Sequence, residues 1–152
     1  MITVTRRILV SAPRDSVRAY LSDLKALPAY DPKIAAVAVT EATDGLWAEL
    51  SGRFMGLPWR GTIRFQLTKD GGYRGVLVQG PLKSAECWMS VRPVVGGTVV
   101  ERGETYELPF LLRPLSPLVR RWVDQSMDLQ LGLVKEGAEA LNRRLQLERL
   151  DA

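Results

Sequence analysis

The sequence predicts an α+β fold in which a curved antiparallel sheet of about seven strands wraps around a long C-terminal helix, with two short helices after the first strand. Two observations predict this class. Short alternating segments separated by turn residues fill residues 34–107, which is typical of an antiparallel meander. Apolar residues then recur at helical spacing from Leu118 to about Leu147 or beyond. A helix of about 30 residues, roughly 45 Å long, exceeds what a small domain needs unless a concave sheet covers it.

The N-terminal part predicts a strand followed by two short helical segments. Residues 2–10 alternate as a strand, and Pro13 ends it because proline cannot donate to a strand ladder and is tolerated in the first turn of a helix. From Arg14 the apolar spacing changes to that of one face of a helix, formed by Val17, Tyr20, Leu21 and Leu24. Pro28 and Pro32 then disfavour helical dihedrals in the residues before them, so we expect a second short helix or turn between them.

The central part predicts a meander of six strands. They are expected at residues 34–42, 46–55, 59–68, 73–79, 83–92 and 98–107. Ile63, Phe65 and Leu67 alternate with polar neighbours, so one face of the sheet is wet and the other is covered. We expect the cover to be an apolar, proline-punctuated loop at residues 109–117 and then the long helix. The apolar stripe expected on that helix comprises Val119, Trp122, Val123, Met127, Val134, Ala138, Leu141 and Leu145.

Composition excludes several kinds of site. The 152 residues fit one domain, residues 1–152, and are enough to fold without disulfides or a metal. The chain has no histidine, which removes the commonest general base and zinc ligand. Cys87 is the single cysteine, which rules out an internal disulfide and a thiolate metal cluster. We therefore expect no metal and no cofactor, and the lack of a visible signal peptide or long apolar run predicts a cytoplasmic protein.

The chain is basic, with a formal net charge of +4. A basic surface can attract nucleic acid, ribosomes or anionic lipid. The arginines are nevertheless scattered, and the densest clusters are pairs such as Arg6-Arg7 and Arg143-Arg144. This distribution is typical of an ordinary solvated surface, so we expect no specific nucleic-acid partner. The sequence leaves the oligomeric state open.

A family pattern is visible at the front of the chain. It is carried by Ile8-Leu9-Val10-Ser11-Ala12-Pro13 and by Val17, Tyr20, Leu21, Asp23, Leu24, Leu27-Pro28, Tyr30 and Pro32. Further on, Trp59-Arg60-Gly61 and the final helix fit the same layout. This pattern resembles the START/Bet v 1-like superfamily, also called SRPBCC, and within it the bacterial polyketide cyclase/dehydrase-like and coenzyme-Q-binding-like groups.

The resemblance implies a helix-grip fold with a hydrophobic cavity between the sheet and the C-terminal helix. It implies non-covalent binding or transport of a small hydrophobic ligand, such as a lipid, a quinone or a polyketide-like molecule. Fold alone does not choose a function, so two alternatives stay open. One is a polyketide cyclase or dehydratase, and the other is a ribosome- or partner-binding module that uses the basic surface.

Apolar residues of the strands and the helix are expected to converge on this cavity. They are Trp59, Ile63, Phe65, Leu67, Leu77, Cys87, Met89, Tyr106, Trp122, Met127 and Val134. The alternative is a filled core, which interior apolar residues usually form. Three polar residues favour a cavity, because Ser126 and Gln130 interrupt the helix stripe, where Gly137 also leaves a gap, and Gln79 is expected to face inward. Buried polar groups need partners, and a ligand or water would supply them.

No residue can be assigned a catalytic role from the sequence. Without histidine a Ser-His-Asp or Cys-His arrangement cannot exist, and Cys87 has the pattern of a buried apolar residue. Of the carboxylates on the last strand, Glu101 and Glu107 share one face and Glu104 takes the other, so at least one points into the hollow of the sheet. There it could act as a base with a raised pKa, or pair with Arg102 or Arg92.

Two further features have open interpretations. Cyclase-like relatives use arginine and tryptophan to hold carbonyls, and Arg53 and Trp59 are the nearest candidates, although Arg53 alternates with Phe54 and is expected to face water. Residues 108–122 mix large apolar side chains with arginines. This segment is either a lid that contacts a membrane transiently while ligand enters, or a loop packed over one mouth of the cavity.

Overall fold

The structure, a computed structural model, describes residues 1–151. Seven strands form one sheet, namely β1 (Ile2–Val10), β2 (Ala36–Ala42), β3 (Gly45–Phe54), β4 (Leu57–Leu67), β5 (Tyr73–Gln79), β6 (Ser84–Val94) and β7 (Gly97–Glu107). The helices are α1 (Arg14–Ser22), α2 (Leu27–Tyr30) and α3 (Ser116–Asp151), with short 3₁₀ segments at Leu24–Ala26 and Phe110–Leu115. The predicted helix-grip architecture is confirmed, with strand bounds within three residues of those expected.

The strand order is β1-β7-β6-β5-β4-β3-β2, and every neighbouring pair is antiparallel. The six strands after α2 follow one another as hairpins, and β1 pairs with the last of them. β1 and β2 therefore lie at opposite edges although α1 and α2 alone separate them in the chain. These two helices cross from one edge of the sheet to the other.

The sequence signals that start and end α1 and α2 act as expected. Pro13 caps α1 with extended dihedrals (φ −68°, ψ 157°), and α1 buries Val17 and Leu21. The Asp23 side chain accepts a hydrogen bond from the backbone N–H of Lys25 and so starts the 3₁₀ segment. α2 is a single turn that ends at Tyr30.

Helix α3 begins earlier than predicted. It starts at Ser116 rather than Leu118, because Pro117 occupies the first turn, where no backbone N–H is required. The segment before it, Phe110–Leu115, is a 3₁₀ helix rather than an irregular loop. α3 is 36 residues long, and its buried residues are Val119, Val123, Ser126, Met127, Gln130, Leu131, Val134 and Ala138. None of the helices in residues 1–151 combines the length and hydropathy of a bilayer-spanning segment.

Packing divides the interior into two clusters. The larger joins α1 and α2 to the sheet and contains Tyr30, Phe65 and Tyr73. The smaller joins β1 and the end of β7 to the start of α3, through residues such as Val123 and Met127. The start of α3, through Met127, thus belongs to the smaller cluster, and its middle, from Leu131 to Ala138, belongs to the larger one.

Gly137 does not leave an empty gap in α3, as the sequence suggested. The Tyr20 ring of α1 lies against it, and a Cβ at this position would come within 2.2 Å of the ring. Tyr20 in turn packs on Tyr30, with ring centroids 5.7 Å apart. A Cβ at Gly132, on the same helix, would meet nothing within 4 Å.

These two glycines provide a matched pair. Gly132→Ala is expected to raise the free energy of unfolding by about 1 kcal/mol, because alanine favours the helix and meets open space. Gly137→Ala has the same helical gain but forces Tyr20 off Tyr30, so we expect it to be less stable than Gly132→Ala by at least ~1 kcal/mol. Urea unfolding followed by circular dichroism measures both. Equal stabilisation by the two substitutions would show that Tyr20 does not pack on α3.

Candidate functional site

A cavity of about 450 Å³ lies between the concave face of the sheet and the segment that leads into α3. Its walls are mostly apolar and come from β3 to β7 and from residues 108–119. They include Phe54, Met55, Leu57, Pro58, Leu82, Ala85, Leu108, Leu112, Leu115, Leu118 and Val119. The cavity is therefore at the N-terminal end of α3, and not along the middle of that helix.

Six of the residues predicted from the sequence line this cavity. They are Trp59, Ile63, Phe65, Leu77, Cys87 and Tyr106. All six lie on strands, where the alternation of side chains identifies the covered face. Gly75 also lines the cavity. A Cβ there would come within 2.8 Å of Cys87 Sγ and Phe65 Cε1, so glycine is needed to leave room for these two side chains.

Two strand residues predicted to face the cavity are instead exposed, and these predictions were wrong. Strict alternation would put Gln79 on the same face as Leu77. The β4–β5 register shifts at this point, so that Ile63 pairs with Leu77 but Thr62 pairs with Gln79. A β-bulge of this kind turns the next side chain to the opposite face. Leu67 lies at the end of β4, 51% exposed, beyond the reach of the cavity.

The predicted lining residues of α3 do not contact the cavity either, and neither does Met89. Met89, Met127 and Val134 are fully buried in the two core clusters, so the filled-core alternative applies to them. Trp122 packs on Phe54, with ring centroids 4.7 Å apart. The helical stripe identified burial correctly, but these residues are buried against other side chains.

Ser126 and Gln130 are buried as expected, yet they lie outside the cavity wall. Gln130 Nε2 donates to Asp31 Oδ2 at 3.4 Å. The Ser126 hydroxyl and Gln130 Oε1 have no partner among residues 1–151. The prediction that they line the cavity was wrong: the Gln130 amide donates to Asp31, and Asp31 itself lines the cavity.

At its inner end the cavity meets a network of four buried charged side chains, which we call the charge quartet: Asp31, Lys33, Arg102 and Glu104. Lys33 Nζ lies 3.0 Å from Asp31 Oδ1 and 3.0 Å from Glu104 Oε2. Arg102 Nε lies 3.1 Å from the same Glu104 oxygen. Two positive and two negative charges make the quartet neutral, which is the condition under which charges are tolerated in the interior.

Three tyrosines complete the network. Tyr106 donates its hydroxyl to Glu104 Oε1. Arg102 Nη1 donates to the Tyr73 hydroxyl at 3.2 Å, and Tyr73 and Tyr30 share a hydrogen bond of 3.0 Å. The chain thus places aromatic hydroxyls between the charges and the surrounding apolar core.

Only part of this network faces the cavity. Asp31, Lys33, Tyr73, Arg102 and Tyr106 line it, whereas Glu104 lies behind them. The Nη2 atom of Arg102 is 3.7 Å from Asp31 Oδ2, too far for a hydrogen bond. Arg102 Nη2 therefore makes an ion-pair contact but no hydrogen bond to Asp31.

The loop after α2 positions half of the quartet. Asp31 Oδ1 accepts a hydrogen bond from the backbone N–H of Lys33 at 3.0 Å. This bond closes a local turn, and both side chains point inward from it. The Lys33 carbonyl in turn accepts from Trp59 Nε1 at 2.9 Å. Gly52 allows this close approach, since a Cβ there would lie 1.9 Å from the Lys33 oxygen.

The quartet holds its charges through mutual attraction. Burial alone would raise the pKa of Glu104, but Lys33 and Arg102 outweigh it and lower that pKa to about 2. Burial opposes the charge of Lys33, yet Asp31 and Glu104 raise its pKa above the usual value. Burial raises the pKa of the Cys87 thiol, which keeps it protonated and unreactive.

The sequence alternatives for the last strand are resolved by these contacts. Glu104 points into the hollow and pairs with Arg102, one of the two expected partners, while Arg92 is exposed. The pKa of Glu104 is lowered and not raised, unlike the base that the sequence left open. Arg53 faces water, as expected, and donates to the Gly56 carbonyl at 3.0 Å.

Three polar residues at the inner end of the site were missed in the sequence, namely Asp31, Lys33 and Tyr73, and so were apolar wall residues such as Leu57 and Leu82. Asp31 and Lys33 lie in an irregular segment with no periodicity to read. Tyr73 starts a strand directly after a turn. One signal was available. Arg102, Glu104 and Tyr106 are two residues apart along β7 and therefore share a strand face. If Tyr106 faces the hollow of the sheet, the two charged side chains must face it as well.

A concave sheet gripping a C-terminal helix beside an apolar cavity defines the helix-grip class of ligand-cavity proteins. The chain belongs to the family described as polyketide cyclase / dehydrase and lipid transport, whose model matches residues 1–139. This confirms the resemblance found in the sequence. No curated protein matches the chain.

Solved structures share the fold at low sequence identity. A protein from Thermus thermophilus is 21% identical, with a TM-score of 0.80 over 91% of this chain and 97% of that one. A START superfamily protein from Mycobacterium smegmatis is 17% identical, with a TM-score of 0.79 over 91% and 98% of the two chains. The Zhui aromatase/cyclase from Streptomyces sp. R1128 is 16% identical, with a TM-score of 0.72 over 90% and 93%.

The charge quartet predicts a specific acid response. Glu104 has a pKa of about 2 when folded, against about 4.3 in an unfolded chain, so its contribution is complete above the unfolded value and is lost as the pH falls toward 2. Glu104→Gln should lower the free energy of unfolding at neutral pH by about 3–5 kcal/mol, because Lys33 and Arg102 lose a buried partner.

In wild type the free energy of unfolding should fall as the pH drops below about 4.3, and in Glu104→Gln most of this fall should be absent. Urea titration at a series of pH values measures it. Glu101→Gln is the control, since Glu101 lies on the outer face of β7 and pairs with Arg7 at the surface. Its effect should stay within about 1 kcal/mol. Parallel acid profiles for wild type and Glu104→Gln would show that the quartet does not control acid stability.

Proposed function

We propose that this protein binds, without covalent chemistry, a small and mainly apolar molecule that carries a hydrogen-bond-accepting group such as a carbonyl. The observation that supports it most directly is an apolar cavity of about 450 Å³ that ends on Arg102 and Lys33. Small-molecule sites are typically about 300–1,000 Å³, mostly apolar, with a few fixed polar groups. A lipid, a quinone or a polyketide-like molecule has this chemistry, and a cytoplasmic location stays a prediction.

The polar end favours an acceptor, because its carboxylates already accept hydrogen bonds: Asp31 accepts them from the Lys33 backbone N–H and from Gln130. Glu104 already accepts bonds from Lys33, Arg102 and Tyr106, so its oxygens are occupied. Lysine and arginine only donate, and they have more N–H groups than these contacts use. Since the quartet is neutral, a neutral carbonyl can bind there without leaving an unbalanced charge.

Binding in the cavity is tested by filling it. Ala85→Phe adds a ring to the cavity wall and is expected to lower the affinity for the fluorescent probe phenylnaphthylamine at least ~10-fold, because ring and probe compete for the same space. Ala38→Phe adds the same ring on exposed β2 and should leave the affinity unchanged. Fluorescence titration gives both affinities, and thermal unfolding checks the fold. Equal affinities would mean that the probe binds elsewhere.

The polar end is tested with two probes that differ in one group. Prodan is a naphthalene ketone, and phenylnaphthylamine has a similar ring system without a carbonyl. Arg102→Lys keeps the charge beside Glu104 but removes the guanidinium donors, so it should weaken prodan by about 10-fold, the value of one charge-assisted hydrogen bond. Phenylnaphthylamine should change by less than ~2-fold, which also shows that the variant is folded. Equal losses for both probes would make Arg102 a purely structural residue.

A second candidate function is a cyclase or dehydratase, and one observation favours it. Arg102 and Lys33 hold positive charge where a ligand carbonyl would lie, and such charge stabilises an enolate. The carboxylate of Asp31 lies on the same wall, 3.7 Å from Arg102. Release of water from an added poly-β-ketone, followed by mass spectrometry and lost in Asp31→Asn, would distinguish catalysis from binding.

The third alternative, a module that binds through a basic surface, gains no support from four of the strand arginines. Arg6, Arg7, Arg64 and Arg74 each pair with a carboxylate, at 2.6–3.6 Å. The positive charge of each of these arginines is therefore largely balanced by a neighbouring carboxylate.

A further inference from the structure

Large apolar side chains are concentrated around the opening of the cavity. Seven of the fifteen that are exposed in residues 1–151 belong to two segments, the β3–β4 turn and residues 110–118. We call them the mouth patch: Met55, Leu57, Phe110, Leu111, Leu112, Leu115 and Leu118. Phe110, Leu111 and Leu57 are 76%, 85% and 70% exposed. Exposed apolar groups clustered in this way mark an interaction surface.

The mouth patch and the cavity share their walls. Met55, Leu57, Leu112, Leu115 and Leu118 line the cavity as well as being exposed. Whatever covers the patch therefore also covers the opening. Phe110 and Leu111 do not line the cavity, so they contribute to the outer surface alone.

The two segments that carry the patch contain basic residues and no acidic ones. Residues 50–61 and 108–123 contain five arginines and no acidic residue. Arg113 lies over the Phe110 ring at 5.6 Å, Arg121 follows Leu118 by one helical turn, and Arg53 lies near the end of β3. None of these three has a carboxylate within ion-pair distance among residues 1–151, and the adjacent Glu107 is paired with Lys83 at 3.2 Å.

We propose that the mouth patch docks on the surface of an anionic lipid bilayer. Apolar side chains flanked by arginines match both the acyl boundary and the negative headgroups. A second copy of the chain is disfavoured, because a two-fold dimer through this patch would bring like charges together. If the proposed function holds, docking would let a bilayer-resident ligand enter the cavity without crossing water.

Co-sedimentation with sucrose-loaded vesicles tests the docking. The protein should bind vesicles of phosphatidylcholine and phosphatidylglycerol, bind pure phosphatidylcholine at least ~5-fold more weakly, and dissociate as salt is raised. Phe110→Ser/Leu111→Ser should lower vesicle binding by at least ~10-fold, since two apolar anchors are lost. The matched control is Leu147→Ser/Leu150→Ser, two exposed leucines at the far end of α3, which should bind as wild type does.

The basic component has its own matched pair. Arg113→Gln/Arg121→Gln should lower binding to the anionic vesicles by about 10-fold or more, because each arginine near such a surface is worth about fivefold. Arg143→Gln/Arg144→Gln removes the same charge from the far end of α3 and should change little. The proposal is overturned if the wild-type protein does not bind anionic vesicles. It is also overturned if the variants at the far end of α3 lose as much vesicle binding as the variants of the mouth patch.

The outcomes also separate docking from ligand binding. Phe110→Ser/Leu111→Ser should still bind phenylnaphthylamine in solution, because neither residue lines the cavity. A wild type that binds the probe but not vesicles overturns docking alone, and one that binds vesicles but not the probe overturns the proposed function alone. A dimer that the patch variants convert to monomer, with no vesicle binding, would assign the patch to a second copy instead.

Discussion

The buried ion pairs of the charge quartet are the constraint that organises this fold. Asp31 and Lys33 precede the strand at one edge of the sheet, whereas Arg102 and Glu104 lie on β7, second from the other edge. Their side chains meet at 3.0 Å across the hollow, which requires the sheet to curve. A buried charge without a partner would cost several kcal/mol, so the quartet favours the curved sheet over a flatter one in which the pairs would separate. Curvature is in turn what leaves space beside α3.

The position of the cavity follows from how α3 is packed. The middle of the helix is buried against α1, α2 and β1, where Tyr20 fills the notch at Gly137. The cavity lies toward the start of the helix, beside the 3₁₀ segment Phe110–Leu115, which has no buried residue. The cavity therefore has charged and tyrosine groups at its inner end and leucines at its mouth. This gradient in polarity, more than the volume, distinguishes it from a packing defect.

Periodicity made most of the fold predictable, and its failures are local. The strands and their covered face follow from alternation, which also separated Glu104 from Glu101 and Glu107 but left its arginine partner open between Arg102 and Arg92. Gln79 was misplaced because a β-bulge reverses the face after Leu77, and no residue type near Thr62 announces it. Ser126 and Gln130 were misplaced for another reason: a helical stripe reports that a side chain is buried, but not what it is buried against. Asp31 and Lys33 were missed because an irregular loop has no periodic pattern from which side-chain direction can be predicted.

If the proposed binding and docking hold, the polar inner end and the mouth patch would together impose an orientation on the ligand. In a bilayer the polar group of an amphiphile lies at the headgroup level, and the apolar remainder lies below it. A cavity whose mouth rests on that surface would receive the polar group first. That group would then reach Arg102 and Lys33, and the apolar remainder would follow between Leu57 and Leu118. The same orientation brings the arginines of the rim near lipid phosphates, so one arrangement accounts for buried charge at one end and exposed apolar surface at the other.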